Sequence, residues 1–214
     1  MKKTIIWVLC LAMSIVAADA QGLKRVTEAE SKQMAEQINR KAASIRTMDS
    51  RFIQVKTLRF LNDKMTAEGR MVYDGGNKLR WAYEKPYSYT FVLNGEQVLI
   101  HSGKNQQRID ISQSKLFQGI AEVMMSTVTG RGLTSGRDFA CSMWKSDGGD
   151  WVAVLTPKRK EMKKLFKEIR LHIGSREQMV KSVEMTEQSG DTTVITLKDV
   201  KTNGAVDAKM FAVE

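Results

Sequence analysis

GRMVYDGGNKLRWAYEKPYSYTFVLNG, residues 69–95, holds three strand-like runs separated by Asp74-Gly75-Gly76-Asn77 and by Lys85-Pro86. Every aromatic side chain in it, with Met71, Leu79 and Leu93, has one parity. Met71, Tyr73, Leu79, Trp81, Tyr83, Tyr87, Tyr89, Phe91 and Leu93 are all odd, while Arg70, Asp74, Lys78, Arg80, Glu84, Ser88, Thr90 and Asn94 alternate with them. Side chains of a strand alternate between faces, so the stretch reads as an antiparallel meander with one broad aromatic face. The remainder of the chain must supply whatever that face covers.

Strand-like runs continue on both sides. SRFIQVKTLRFL and KMTAEGRMVYD precede the meander, and VLIH and QRIDI follow it. Further along come RDFACSMW, WVAVLTP, FKEIRLHI, VKSVEMTEQ and TTVITLKDV, with hairpin punctuation at Asp147-Gly148-Gly149-Asp150, Gly174-Ser175 and Ser189-Gly190-Asp191. About ten antiparallel strands with a few helices on one side give a large curved sheet or barrel.

Two stretches have helical spacing. Thr27 to about Met48 carries Met34, Ile38, Ala42, Ile45 and Met48 at intervals of three or four, behind a Thr27-x-x-Glu30 capping box. Ser114–Val128 is apolar nearly all round: Leu116, Phe117, Ile120, Ala121, Val123, Met124, Met125 and Val128 leave only a narrow polar stripe. A helix packed on one face does not need so much apolar surface. It is either buried deep in an ordinary core or a lid over an apolar cavity, and its methionines suit both roles.

Lys2-Lys3, the apolar run Ile5–Ala18 and Ala18-Asp19-Ala20 have the form of a secretory signal cleaved after Ala20. That run is shorter than the about 20 residues a membrane-spanning helix requires. Residues 21–214 are expected to form one exported domain. The formal charge of +10 becomes +9 when Lys2, Lys3 and Asp19 are removed. Cys10 goes with the leader, so Cys141 alone cannot form an internal disulfide or a cysteine-based zinc site.

Catalytic chemistry has little to work with. His101 and His172 each alternate out of phase with the apolar residues of their strands. There is no G-x-S-x-G, phosphate-binding glycine loop, dinucleotide fingerprint or H-E-x-x-H, and no metal-ligand spacing. We therefore expect no enzyme, no cofactor and no metal. The densest basic run is Lys158, Arg159, Lys160, Lys163 and Lys164, continued by Lys167. An exported protein does not meet nucleic acid, so this is a solvated loop or a docking patch for an acidic partner or an anionic lipid surface.

The order of several short motifs resembles the periplasmic outer-membrane lipoprotein carrier family, LolA. They are Phe52-x-Gln54, Gly69, Leu79-Arg80-Trp81, Pro86, Asn94-Gly95, Gln107, Val200-Lys201-x-Asn203 and Phe211. The resemblance implies an unclosed antiparallel β-barrel, a half-barrel, covered by a helical lid. It also implies a monomeric carrier that receives acylated lipoproteins from an inner-membrane release complex and yields them to an outer-membrane acceptor. On that basis Phe52, Met71, Tyr73, Leu79, Trp81, Tyr83, Tyr89 and Phe91 are expected to line the acyl-chain cavity, with Leu116, Phe117, Ile120 and Met124 as the lid. A carrier of a phospholipid or glycolipid, or an envelope sensor or adaptor on the same fold, shares these features. One departure is clear: the family's lid-fastening arginine would fall in the turn where this chain has Gly75-Gly76. Arg80 beside Trp81 is the candidate to replace it, although its parity points it away from the aromatic face.

Overall fold

The computed structural model describes residues 22–75, 77–112, 118, 121, 124–125 and 139–213. Twelve strands form one antiparallel sheet: β1 (Leu23–Arg25), β2 (Thr47–Leu58), β3 (Asp63–Asp74), β4 (Lys78–Lys85), β5 (Tyr89–Asn94), β6 (Gln97–Ser102), β7 (Asn105–Asp110), β8 (Phe139–Ser146), β9 (Trp151–Pro157), β10 (Phe166–Gly174), β11 (Met179–Glu187) and β12 (Thr192–Thr202). Their spatial order is β1-β8-β9-β10-β11-β12-β2-β3-β4-β5-β6-β7. The sheet does not close, because β1 and β7 remain its edges. This is the unclosed antiparallel barrel expected from the sequence, with two more strands than the expected ten.

The meander pairs as its parity requires. Met71 lies opposite Trp81 and Tyr73 opposite Leu79, while Trp81 faces Phe91 and Tyr83 faces Tyr89. β2 extends this face, with Phe52 opposite Gly69 on one side and Leu197 on the other. The inner face thus runs unbroken from β12 to β5.

Two apolar clusters occupy that face. One joins Met143, Ala153, Leu155, Ile169, Leu171, Ile173 and Val183 to Met34 and Ile38 of α1 (Glu28–Ser44). The other gathers Met48, Phe52, Met71, Tyr73, Leu79, Trp81 and Leu93 with Ala121, while Met124 and Met125 pack against it. Residues 118, 121, 124 and 125 are helical. Of the four lid residues expected, Met124 is half-buried over the second cluster; Leu116, Phe117 and Ile120 lie outside the described residues.

Helix α1 begins where its capping box places it: the Thr27 hydroxyl accepts from the Glu30 N–H at 3.2 Å, and the Glu30 carboxylate accepts from the Thr27 N–H at 3.0 Å. Its end differs from the sequence reading, which carried the helix to Met48. The helix stops at Ser44, Ile45 is its cap, and Met48 belongs to β2. Asn203 brings about the stop. Its side chain accepts from Arg46 N at 2.8 Å and donates to the Ser44 carbonyl at 3.0 Å, satisfying groups that a helix end leaves open.

The outer face of β3–β6 is also covered. Val72, Val92 and Leu99 form a small core with Phe211, backed by Val206, Met210 and Val213. Phe211 ends a short 3-10 turn, Ala208–Phe211, and its carbonyl accepts from the Asn94 side chain at 3.1 Å. A single inward aromatic face is therefore only half of this region's packing. Arg80 pairs with Val72 and Val92 on this outer side.

Candidate functional site: an aromatic floor opening at the rim

At the centre of the floor the Phe52 ring stacks on Trp81, centroids 4.3 Å apart and planes 29° from parallel. It meets Tyr83 edge-on at 5.2 Å. These rings approach closely because Gly69 lacks a side chain. A β-carbon there would overlap the Ala82 carbonyl oxygen and stand 2.6 Å from Phe52 Cζ. Opposite Glu68 and Gly69 the register slips by one residue, a bulge that leaves Glu84 as the extra residue of β4 and bends that strand.

From Trp81 the aromatic run leads outward. Tyr83 lies 6.1 Å from Tyr89 and 5.7 Å from Tyr87. Trp81 and Phe52 are buried, Tyr83 and Tyr89 are half-buried, and Tyr87 is 46% exposed. The Tyr83 hydroxyl donates to Gln54 Oε1 at 2.8 Å, which accounts for the glutamine of the Phe52-x-Gln54 pair. Burial is the main cause that raises the pKa values of Tyr83 and Tyr89, so both stay neutral phenols at neutral pH.

Beyond Tyr83 the floor opens into a hollow of about 250 Å³ lined by Gln54, Lys56, Met65, Thr66, Ala67, Pro86 and Tyr87. Sequence reasoning missed this lining, although Met65 and Ala67 share the parity of Met71, and Tyr87 that of Tyr83. Lys56 is held by Glu187 at 2.9 Å, so the charge beside the hollow is neutralised in place. Deeper in, Ser50 Oγ and Trp81 Nε1 are buried without a hydrogen-bond partner. The indole N–H lies near enough to the Tyr83 oxygen to favour the phenolate slightly, but burial outweighs this. Each such group costs about 1–3 kcal/mol relative to a satisfied one.

Of the eight expected cavity residues, Phe52, Met71, Tyr73, Leu79 and Trp81 are fully buried in one cluster, with Tyr83 and Phe91 packed against it. Tyr89 joins through its contact with Tyr83. The basic run is not a loop: Lys160–Leu165 form a short helix, α2, with Met162 tucked into the first core cluster and Lys160, Lys163 and Lys164 exposed. Lys158 is exposed and Arg159, the N-cap residue of α2, is half-exposed. His101 is exposed and contacts the Gly103 carbonyl. His172 sits 3.6 Å from Glu184 on β11, and burial pushes the Cys141 thiol up to about 11. Among the described residues no cluster of His, Cys, Asp or Glu could hold a metal ion, and no helix is long and apolar enough to cross a membrane.

The fold is an unclosed antiparallel sheet whose apolar inner face packs against helix α1 and against Ala121, Met124 and Met125. The match to known proteins is specific. Residues 43–214 match the family described as outer membrane lipoprotein carrier protein LolA, and the chain belongs to that family. An outer-membrane lipoprotein carrier protein of Legionella pneumophila (strain Paris) is 28% identical over 185 residues, which cover 86% of this chain and 87% of the relative. The carrier protein of Ralstonia nicotianae is 24% identical over 181 residues, covering 82% and 80%. Among solved structures, an uncharacterized conserved protein from Thermus thermophilus superposes with a TM-score of 0.52 at 9% identity, over 86% of this chain and 93% of that one. That likeness is one of fold.

Proposed function

We propose that this lipoprotein carrier binds the acyl chains of its cargo on the floor formed by Phe52, Met71, Tyr73, Leu79, Trp81, Tyr83, Tyr89 and Phe91, with Leu116, Phe117, Ile120 and Met124 acting as its lid. The observation that carries the reading is the graded aromatic path, from buried Trp81 through half-buried Tyr83 to the open hollow beside Tyr87. An acyl chain entering at the hollow passes the Tyr83–Gln54 pair and reaches the rings of Phe52 and Trp81.

The hollow is smaller than the roughly 300–1,000 Å³ of ordinary small-molecule sites. Loading several acyl chains therefore requires the cover to move and the chains to take its place against the floor. Each CH₂ buried is worth about 0.8 kcal/mol, so a site empty of protein contacts would hold a long chain too tightly to release it. Here Ala121, Met124 and Met125 already pack on the floor. Cargo exchanges contacts with them instead of filling a void, which keeps the net affinity within reach of reversal. Ser50 Oγ, buried without a hydrogen-bond partner, offers a hydrogen bond to an ester or amide oxygen of the cargo. In this scheme the leader is cleaved after Ala20, the protein works in the periplasm, and it passes cargo from an inner-membrane release complex to an outer-membrane acceptor.

The test is to purify the exported protein from its native envelope and identify what is bound. Acylated protein retained through purification, and lost in a Met124→Glu variant whose circular dichroism is unchanged, is the expected result. A chain that never retains an acylated protein, nor takes one from detergent, overturns the reading; copurifying phospholipid or glycolipid alone would reassign the cargo.

A further inference from the structure

The largest exposed apolar side chains among the described residues lie at one end of the sheet. Phe60 is 97% exposed and Leu61 66%, at the tip of the β2–β3 hairpin; Met65 at 52% and Tyr87 at 46% stand beside them at the hollow. The hairpin is fully paired down to Leu58 opposite Asp63, so residues 59–62 form a tight four-residue loop that presents Phe60 and Leu61 with nothing packed on them. Asn62, at φ 50°, makes the turn. A phenyl ring held almost wholly in water at the tip is a cost with no return inside the chain.

The same end of the sheet carries α2. β10 begins at Phe166 opposite Glu187, and β12 begins at Thr192 opposite Thr57, so the β9–β10, β11–β12 and β2–β3 connections share one rim. Hydrogen bonds tie them together. Gln188 donates from its backbone to the Leu165 carbonyl at 3.1 Å and from its side chain to the Lys163 carbonyl at 2.7 Å. Asp191 accepts from Arg59 N at 2.9 Å, and the Arg59 side chain lies across Gly190. Exposed Lys158, Lys160, Lys163 and Lys164 therefore share a braced rim with exposed Arg59, Lys64 and the apolar tip. Of the acidic groups there, Glu187 is paired with Lys56, Asp191 holds the Arg59 amide and Asp63 accepts from Lys64 N. Glu161 is outnumbered by its lysine neighbours on α2.

We infer that this rim is a membrane-docking surface: Phe60 and Leu61 insert among the acyl chains of an anionic phospholipid bilayer while the basic residues of α2 and the hairpin lie on its headgroups. The pairing of an apolar wedge with a positive surround is what such a bilayer recognises. An acidic protein surface would complement the charge but leave no hydrocarbon for the tip. The hollow opens about three residues, or about 10 Å, from the tip, so a docked hairpin sets the cavity mouth at the lipid surface.

The test uses the exported protein with vesicles of phosphatidylcholine alone and of phosphatidylcholine containing phosphatidylglycerol. We expect binding to the anionic vesicles about tenfold tighter than to the neutral ones, weakening with added salt as screening shortens to about 3 Å at 1 M. Phe60→Trp should add emission that shifts blue on binding and is quenched by brominated acyl chains. Phe60→Glu/Leu61→Glu and, separately, Lys160→Glu/Lys163→Glu/Lys164→Glu should each lose about tenfold in affinity with unchanged circular dichroism. Equal binding to both vesicle types, unchanged binding of the variants, or no binding overturns the inference. So does binding only to native membranes that protease treatment abolishes, which would assign the rim to a protein receptor. The carrier reading is tested apart from this. Phe60→Glu/Leu61→Glu should still capture acylated protein in detergent, so cargo without vesicle binding sinks the docking surface alone, and vesicle binding without cargo sinks the carrier reading alone.

Discussion

Phe52 and Gly69 face each other across β2 and β3, and a β-carbon on Gly69 would stand 2.6 Å from Phe52 Cζ. The same atom would overlap a backbone oxygen, that of Ala82, which cannot swing away. Gly69→Ala should therefore cost about 3 kcal/mol, the upper part of the usual overpacking range. It should also part the Phe52–Trp81 stack, visible in the near-ultraviolet circular dichroism. Urea unfolding gives the cost, and a loss under about 1 kcal/mol would mean the strands separate more easily than this packing implies.

Tyr83 and Gln54 form the polar boundary between the packed floor and the hollow. Tyr83→Phe removes one neutral hydrogen bond and leaves Gln54 at an open edge where water can replace it. The expected loss is about 1 kcal/mol, with cargo retention preserved. Tyr83→Lys, in contrast, sets a charge on the acyl path and should abolish retention in the same pull-down.

Asn203 holds the end of α1 with two side-chain hydrogen bonds and sits at φ 61°. Asn203→Ala loses both bonds and strains the backbone, an expected cost of about 2–4 kcal/mol. Asn203→Gly keeps the turn at ease and should recover about 1 kcal/mol of that loss. Thermal unfolding of the two variants side by side separates the conformational contribution from the hydrogen bonds.

The Glu30 carboxylate is drawn down to about 2, chiefly by its hydrogen bond from Lys145 and next by the Thr27 N–H. A carboxylate depressed by folding contributes stability above its unfolded pKa, here 4.5, and loses it as pH falls toward the folded value. The Tm should thus decline between about pH 4.5 and 2. Lys145→Met should show a lower Tm at neutral pH and a flatter decline in that window, read by calorimetry. The group is solvent-exposed, so high salt should shrink the difference.

Phe211 is 1% exposed on the outer face, opposite to the floor. Phe211→Ala should destabilise the protein by about 3–5 kcal/mol. At temperatures where the variant stays folded its cargo retention should match that of the unaltered chain. Loss of retention without loss of stability would show that the outer cover governs the cavity.

Much of this protein is legible in its sequence because much of it is local. Alternation in 69–95 assigns the inward faces of β3, β4 and β5 without reference to anything distant, since a strand repeats every two residues whatever it pairs with. Thr27 and Glu30 place the start of α1 by a bond three residues long. The turn residues of 147–150 and 189–191 mark hairpins because those backbones need no partner to bend. Tertiary structure alone decided the remainder. β2 pairs with β12 across the length of the domain, and Asn203 ends a helix from 157 residues away. The C-terminal turn covers Val72 and Val92, two apolar residues among the mostly polar even-numbered side chains of the meander, whose cover lies far along the chain. Phe60 reads as one more apolar residue of a strand until the register places it on the loop, alone, on the rim that α2 makes positive. Local periodicity tells which way a side chain points; only the long-range pairing tells what stands in front of it.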